Sequence, residues 1–321
     1  MVRTAIMRSF GAELRGLLAG AMSGRLRVCL AGVGITALLQ SSTATSLIVA
    51  SFANGGALTA AMGLAVLLGA DVGTTLVVQI FSQRIEWLSP LFIAVGVIGF
   101  LSSQNSKTRN VGRGFIGLGL ITLALQGISS AATPLAASDA VQSVLRSGAG
   151  EPILMVIVVA ALTVLVHSSV AVILLVGTLA ATGALTLQQA IELTIGANLG
   201  GALLPVLATS VQPVAARLPA ISNALVRAIG VVLAIPLAAH AAGIAIDLKI
   251  EPQMAVAHFH TAFNLLLAAA ALPFIDQIAG FVSRFLHEDS GEFVEACCWS
   301  RANVKWNTKY GHYAPTGSYK V

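Results

Sequence analysis

The sequence predicts an all-α polytopic membrane protein made of two inverted-topology repeats, each a re-entrant helical hairpin plus a broken transmembrane helix. Three observations carry this. Hydrophobic residues fill 56% of the 321 positions and charged residues 10%, with a mean hydropathy of +0.88, where soluble domains carry about 25% charged residues. Apolar runs near the length of a bilayer span, about 20 residues, recur along most of the chain. The third observation is a duplication. Thr36–Thr45 (TALLQSSTAT) is matched by Thr163–Val172 (TVLVHSSVAV), and Gly69–Thr75 (GADVGTT) by Gly196–Ala202 (GANLGGA). The offset is constant, since His167 lies 127 positions after Gln40 and Gly196 lies 127 after Gly69. Gly56-Ala57-Leu58-Thr59 recurs as Gly183-Ala184-Leu185-Thr186 in the same register. The best-kept polar positions lie in apolar surroundings, where polar groups are costly.

Composition also narrows the function classes. The net charge of +5 comes from basic residues clustered in loops, with no basic-aromatic stripe, so nucleic acid is not an expected partner. Cys29, Cys297 and Cys298 make no disulfide framework. No metal-ligand cluster or nucleophile–base pair stands out, and an enzyme is not expected. His167 and Ser168 are neighbours, but adjacent helical residues point apart and form no dyad.

The elements follow in order. Residues 1–27 read as a basic, cytoplasmic N-terminus carrying Arg3, Arg8, Arg15, Arg25 and Arg27. Residues 28–53 are apolar except at Gln40-Ser41-Ser42-Thr43. One long helix is open to them. A hairpin is preferred, because non-helical backbone at membrane depth is tolerated where it lines a protein cavity. Asn54-Gly55-Gly56 supplies a turn. Thr59 and Thr186 are placed to cap the next helices, and Thr186 with Gln189 has capping-box spacing. Residues 60–81 span, with an interruption expected at Gly69–Gly73, since two glycines four apart weaken a helix. Residues 88–103 and 114–133 span plainly. Residues 152–181 repeat the hairpin and 187–209 the broken helix. Residues 220–245 and 254–277 are the last spans. Each carries two polar groups four apart on one face, Asn223 with Arg227 and His260 with Asn264. Interhelical hydrogen bonding accounts for these pairs as well as a ligand role does. Arg227 itself is read either as functional or as snorkelling to the inner surface.

Loop charges set the topology. Starting inside, the inner loops hold Arg25, Arg27, Lys107, Arg109, Arg113, Arg217 and Arg284. The outer loops hold Arg84, Arg146 and Lys249, each near an acid. That bias obeys the positive-inside rule. Three spans separate the hairpins, so the second enters from the opposite face. The transmembrane domain is therefore residues 28–285, with repeat 1 over 28–133 and repeat 2 over 152–277. Residues 286–321 form a polar, aromatic tail without periodicity, expected to be disordered or to lie on the membrane surface.

An anion held at mid-membrane needs donors. The sequence offers the hydroxyls of Ser41, Ser42, Thr43, Ser168 and Ser169, the Gln40 amide and the His167 ring, with backbone N–H groups at half-helix N-termini. Unwound carbonyls at Gly69–Gly73 and Gly196–Gly200 are the candidates to coordinate a cation. No Lys or Arg lies inside either motif, so a dianion would need cations as co-ligands. The bland alternatives are serines that pack helices and an Asp71 that caps a half-helix starting at Val72.

Gln-Ser-Ser-Thr in one repeat, His-Ser-Ser in the other and Gly-Ala-Asp/Asn-x-Gly after each resemble the type II sodium–phosphate cotransporter family, over roughly residues 25–285. The resemblance is to a member without the soluble helical domain that follows in many bacterial members. It implies sodium-coupled symport of inorganic phosphate across the inner (plasma) membrane by alternating access. Phosphate would bind at Gln40, Ser41, Ser42, Thr43, His167, Ser168 and Ser169. Sodium (Na+), the coupling ion, would bind around Gly69, Asp71, Gly73, Thr74 and Thr75, and around Gly196, Asn198 and Gly200. No resident cofactor is implied. Membrane lipid is a partner, and a homodimer is left open. The sequence departs from the family pattern where Val170 answers Thr43, His167 answers Gln40, Gly201-Ala202 answer Thr74-Thr75, and Asp71 replaces an Asn. Transport of another small anion, or a membrane sensor without transport, remain the rival readings.

Overall fold

The computed structural model describes residues 24–83, 87–286, 304–307 and 312–315; the expected N-terminal segment before residue 24 lies outside them. Helices α1 (Arg25–Leu39) and α2 (Ser42–Asn54) form the first hairpin, followed by α3 (Ala60–Ser82). Helices α4 (Leu88–Ser102), α5 (Ser106–Ala136) and α6 (Asp139–Ser147) link the repeats. Helices α7 (Pro152–Val166) and α8 (Ser169–Ala181) form the second hairpin, followed by α9 (Leu187–Thr209). Two kinked rods complete the bundle. The first is α10 (Val214–Ala234) and α11 (Ala238–Asp247), joined by a 3-10 turn at Ile235–Leu237. The second is α12 (Pro252–Ala271) and α13 (Ile275–Ser283), joined at Leu272–Phe274. Pro236 and Pro273 sit in those turns, where a missing N–H interrupts the helical ladder.

The hairpins have arms of 15 and 13 residues in both copies. At about 1.5 Å per residue an arm spans roughly 22 Å, short of a hydrocarbon core of about 30 Å. The arms fold back on each other: Thr36 and Thr45, four residues on either side of the tip, bring their Oγ1 atoms to 2.7 Å. Both tips use the same backbone. Gln40 and His167 close the first arms at left-handed φ of 53° and 59°. Ser41 and Ser168 then cap the second arms, their Oγ atoms each accepting from a backbone N–H, of Ala44 and of Ala171, at 3.2 Å. A left-handed residue other than glycine is strained, and strain of this kind gathers at ligand sites and hinges. The expected helix starts are also present. Thr59 Oγ1 accepts from Met62 N, and Thr186 with Gln189 completes a capping box.

Five helical stretches are long and apolar enough to cross a membrane among the described residues: Ala60–Ser82, Ser106–Ala132, Leu187–Thr209, Val214–Asp247 and Pro252–Ser283. Helix α4, expected to span, has 15 residues and pairs with the long α5. Helices α3 and α9 lie at the heart of the bundle. Leu64 to Leu68 and Ala190 to Asn198 are buried without interruption, the pattern of a helix surrounded on all sides. The periphery is apolar and open, as at Ile153, Leu154, Ile157 and Val158 on α7 and Val232 and Leu233 on α10, which suits lipid contact. This is a multi-pass helical membrane protein.

One expectation needs correction. The helices expected to break at Gly69–Gly73 and Gly196–Gly200 are continuous, α3 over 23 residues and α9 over 23. Glycine's weak helix propensity costs only about 1 kcal/mol per residue, and packing outweighs it here. A Cβ on Gly73 would lie 2.6 Å from the Val33 carbonyl oxygen, and one on Gly196 would lie 2.5 Å from that of Val156. Gly69 would strike the Cys29 carbonyl and Gly200 that of Ala160. These four glycines let α1 seat against α3 and α7 against α9, backbone on backbone, as small-xxx-small pairs do in membranes. Their expected role as unwound carbonyl ligands is therefore not what the fold gives them. In the tail, Val304–Asn307 pairs antiparallel with His312–Pro315.

Candidate functional site

Helical spacing explains what the Gly-Ala-Asp/Asn-x-Gly motif does. Residues two apart on a helix point about 200° apart. With Gly69 and Gly73 turned to α1, Asp71 is turned away from it, toward α10. With Gly196 and Gly200 turned to α7, Asn198 is likewise turned to the centre. There both meet Arg227. Its Nε donates to Asp71 Oδ2 at 2.9 Å and its Nη2 lies 2.9 Å from Asp71 Oδ1, a two-pronged ion pair. Its Nη1 donates to the Asn198 backbone carbonyl at 2.7 Å and to Asn198 Oδ1 at 3.2 Å. Its Nη2 also donates to Asn264 Oδ1 at 2.7 Å. One guanidinium thus ties α3, α9, α10 and α12 together.

The partners are held in turn. Asn223 Nδ2 donates to Asp71 Oδ2 at 2.9 Å. Asn264 Nδ2 donates to Asn198 Oδ1 at 2.9 Å and to the His260 carbonyl at 2.8 Å, and lies 3.1 Å from His260 Nδ1. Asn198 Nδ2 donates to the Thr194 carbonyl. Arg227 is 5% exposed, Asn198 0% and Asp71 8%, so the network is sealed from solvent and Arg227 does not snorkel. Among the described residues, four buried side-chain polar atoms lack a hydrogen-bond partner: Asn223 Oδ1, His260 Nε2, Ser222 Oγ and Gln40 Oε1. The first two belong to this centre and the last to a hairpin tip. Buried polar atoms are nearly always paired, so the two orphans in this centre call for a partner such as a water or an ion.

The expected site residues separate into groups. Asp71 and Asn198 are brought together through Arg227. Ser41 and Ser168 hold helix starts, which leaves each hydroxyl proton free to be donated. Gln40, Ser42 and Thr43 are half-buried at the first tip, and Ser169 is half-buried at the second beside the exposed His167. His167 Nδ1 lies 3.0 Å from the Leu165 carbonyl. Gly201 marks where the second tip meets the centre. A Cβ there would lie 3.4 Å from Ser169 Oγ and 3.6 Å from Arg227 Nη1. Thr74 and Thr75 spend their hydroxyls on their own helix, at the carbonyls of Ala70 and Val72. Glu192 is buried one turn before Gly196 and accepts from Gln188 Nε2.

Arg227, Asn223, Asn264 and His260 were not among the site residues expected from sequence. A signal for them exists. Asn223 and Arg227 recur 37 positions later as His260 and Asn264, and Pro236 recurs 37 positions later as Pro273. The two kinked rods are themselves a matched pair, with equivalent polar groups facing one point.

Two hairpin-bearing repeats around one buried polar centre, built from helices long and apolar enough to cross a membrane, define an internally duplicated polytopic membrane protein. The chain belongs to the Na+/Pi-cotransporter family, whose model matches residues 1–130 and again residues 127–250. The double match falls on the two repeats. The chain is 38% identical over 289 residues to the protein named "Putative inorganic phosphate export protein YjbB" of Salmonella typhimurium, covering 90% of this chain and 53% of that protein. The Escherichia coli K12 protein of the same name shows the same identity and coverage. The protein named "Uncharacterized protein YqeW" of Bacillus subtilis is 27% identical over 248 residues, covering 77% of this chain and 80% of its own length. The chain thus spans about half the length of the YjbB relatives it matches. No solved structure matches it.

Proposed function

We propose that this chain moves inorganic phosphate across the cytoplasmic membrane, with sodium as the coupling ion, by exposing one central site alternately to either side. The observation that carries the reading is the sealed polar centre to which both repeats contribute, with the Ser169 hydroxyl of the second hairpin tip beside it. On this reading Ser42, Thr43 and Ser169, the free protons of Ser41 and Ser168, and the Gln40 and His167 side chains meet the oxyanion. Asp71 carries the cation's counter-charge. The two repeats are inverted, so that each hairpin gates one side. Family membership supports phosphate as substrate, and the printed names of the YjbB relatives favour outward movement. Flux in a sodium-coupled carrier follows the sum of both gradients, so direction is a property of conditions as well as of the protein.

The test is radiolabelled phosphate movement in proteoliposomes, measured inward and outward, with sodium replaced by choline. Sodium-dependent flux is the expected result. Flux of sulfate or a small carboxylate in place of phosphate would reassign the substrate. Absence of any flux from correctly folded protein, with ligand binding retained, would favour a sensor.

A further inference from the structure

Arg227 and Asp71 occupy each other. Both oxygens of the carboxylate face the guanidinium at 2.9 Å, and the remaining guanidinium donors are spent on Asn198 and Asn264. In this arrangement Arg227 is a weak anion site and Asp71 a weak cation site, because each charge is already met. Two observations say what each would bind if parted. Ser169 Oγ and Arg227 Nη1 both lie within contact distance of the position a Gly201 Cβ would take, so hydroxyl and guanidinium face one spot, at the start of α8. Beside Asp71, Asn223 Oδ1 is a buried acceptor with no donor, on the same amide whose Nδ2 is held by the carboxylate. An amide oxygen next to a carboxylate is a ligand set for a hard cation.

We propose that a monovalent cation and Arg227 compete for Asp71, and that arrival of the cation releases Arg227 to an oxyanion at Ser169. The proposal rests on the anion-carrier reading above and gives it a coupling device. The empty pair is neutral. An anion on Arg227 alone, or a cation on Asp71 alone, would leave one uncompensated charge in a sealed interior, which is strongly disfavoured. Both together restore neutrality. Each ion therefore raises the affinity for the other, by the same factor. One released arginine accounts for one cation per anion, and the second charge of a dianion requires a further cation elsewhere.

The experiment measures sodium binding (radiolabelled sodium, no anion) and phosphate binding (with and without sodium) for the full chain in detergent. Arg227→Gln removes the competitor. Sodium should bind more tightly than in the parent, while phosphate affinity falls at least about tenfold, the value of a hydrogen bond to a charged group. Asp71→Asn frees Arg227 permanently. Phosphate should then bind without sodium at least as tightly as in the sodium-free parent, and sodium should improve it by a smaller factor than in the parent. Parent-like phosphate affinity in Arg227→Gln, unchanged sodium affinity in that variant, or full sodium dependence in Asp71→Asn would each overturn the exchange. If the single variants do not fold, Arg227→Lys keeps the charge and loses the two-pronged fit. It should lower the half-saturating sodium concentration and weaken phosphate, and parent values for both would overturn the proposal. A parent that binds no oxyanion at all would remove the transport reading. The sodium affinities of parent and Arg227→Gln would still decide the exchange.

Discussion

The two hairpins share a backbone and differ in how they are fastened. In the first, the Thr36 and Thr45 hydroxyls tie the arms together across the tip. Arg25 at its base donates to the Pro273 carbonyl at 2.6 Å and meets Asp276 at 2.5 Å, pinning the hairpin to the second kinked rod. In the second, Thr163 answers Thr36 and turns to its own helix at the Val159 carbonyl, while Val172 answers Thr45 and has no hydroxyl to offer. Pro152 stands where the first copy has Arg25. Leu38 and Leu165 are exposed in both copies, but Val166 and His167 are exposed where Leu39 is buried and Gln40 half-buried. Duplication kept what local sequence dictates, the left-handed turn and the serine cap. It did not keep the side-chain ties, which depend on single residues. The second hairpin is thus the less restrained of the two.

The largest expected effect concerns whether the copies face opposite ways. Gly55 and Thr182 are equivalent, exposed and at ordinary negative φ, unlike the neighbouring Gly56 and Gly183. With Cys29, Cys297 and Cys298 replaced, Gly55→Cys and Thr182→Cys should react with a membrane-impermeant thiol reagent from opposite sides. Reaction of both from one side would end the inverted model. Next come the tip serines. Ser42→Ala and Ser169→Ala should each weaken phosphate binding by about 10- to 150-fold, with Ser169→Ala the stronger because it adjoins Arg227. Equal and near-parent affinities in filter binding would mean that these hydroxyls only pack helices.

Gly69→Ala and Gly196→Ala probe what the hairpins share. Each should cost about 1–3 kcal/mol through overpacking against a backbone carbonyl, seen as a lower Tm in detergent. A loss in one repeat alone would show that the two seats are unequal. The smallest effect concerns the fastening. Thr36→Val removes a bond worth about 0.5–1.5 kcal/mol, and Val172→Thr offers Thr163 the partner its counterpart has. The first should speed turnover and the second slow it, with little change in half-saturation. The reverse order in a flux assay would mean that the first hairpin is the moving gate.

The legible parts of the molecule were those written locally and written twice. The polar clusters at Gln40 and His167 announce a turn, and Thr59 and Thr186 a helix start, within a few residues of where each occurs; the caps at Ser41 and Ser168 are equally local but read from the sequence as ligand hydroxyls. Gly69–Gly73 misled because glycine lowers helix propensity within its own strand of sequence, while the contact that keeps α3 helical comes from the carbonyls of Cys29 and Val33. The Asp71–Arg227 pair lies across 156 positions, and no spacing rule reaches that far. What the sequence did show was one acid in an apolar motif and one base in an apolar span. Two lone opposite charges at membrane depth have strong reason to meet.

The neutrality of that pair has an electrical consequence. Moving one elementary charge through the membrane field involves about 2.3 kcal/mol per 100 mV. A centre made of Asp71 and Arg227 together carries none, so on the transport reading proposed above an unloaded carrier would reorient it without feeling the voltage. On that reading membrane potential would act on the bound ions and leave the return stroke alone. Asp71→Asn would turn the same centre into a positive charge travelling with the protein, and the return stroke would become voltage-sensitive. Transient capacitive currents, absent from this centre in the parent and present in the variant, are how a recording from reconstituted membranes would see it.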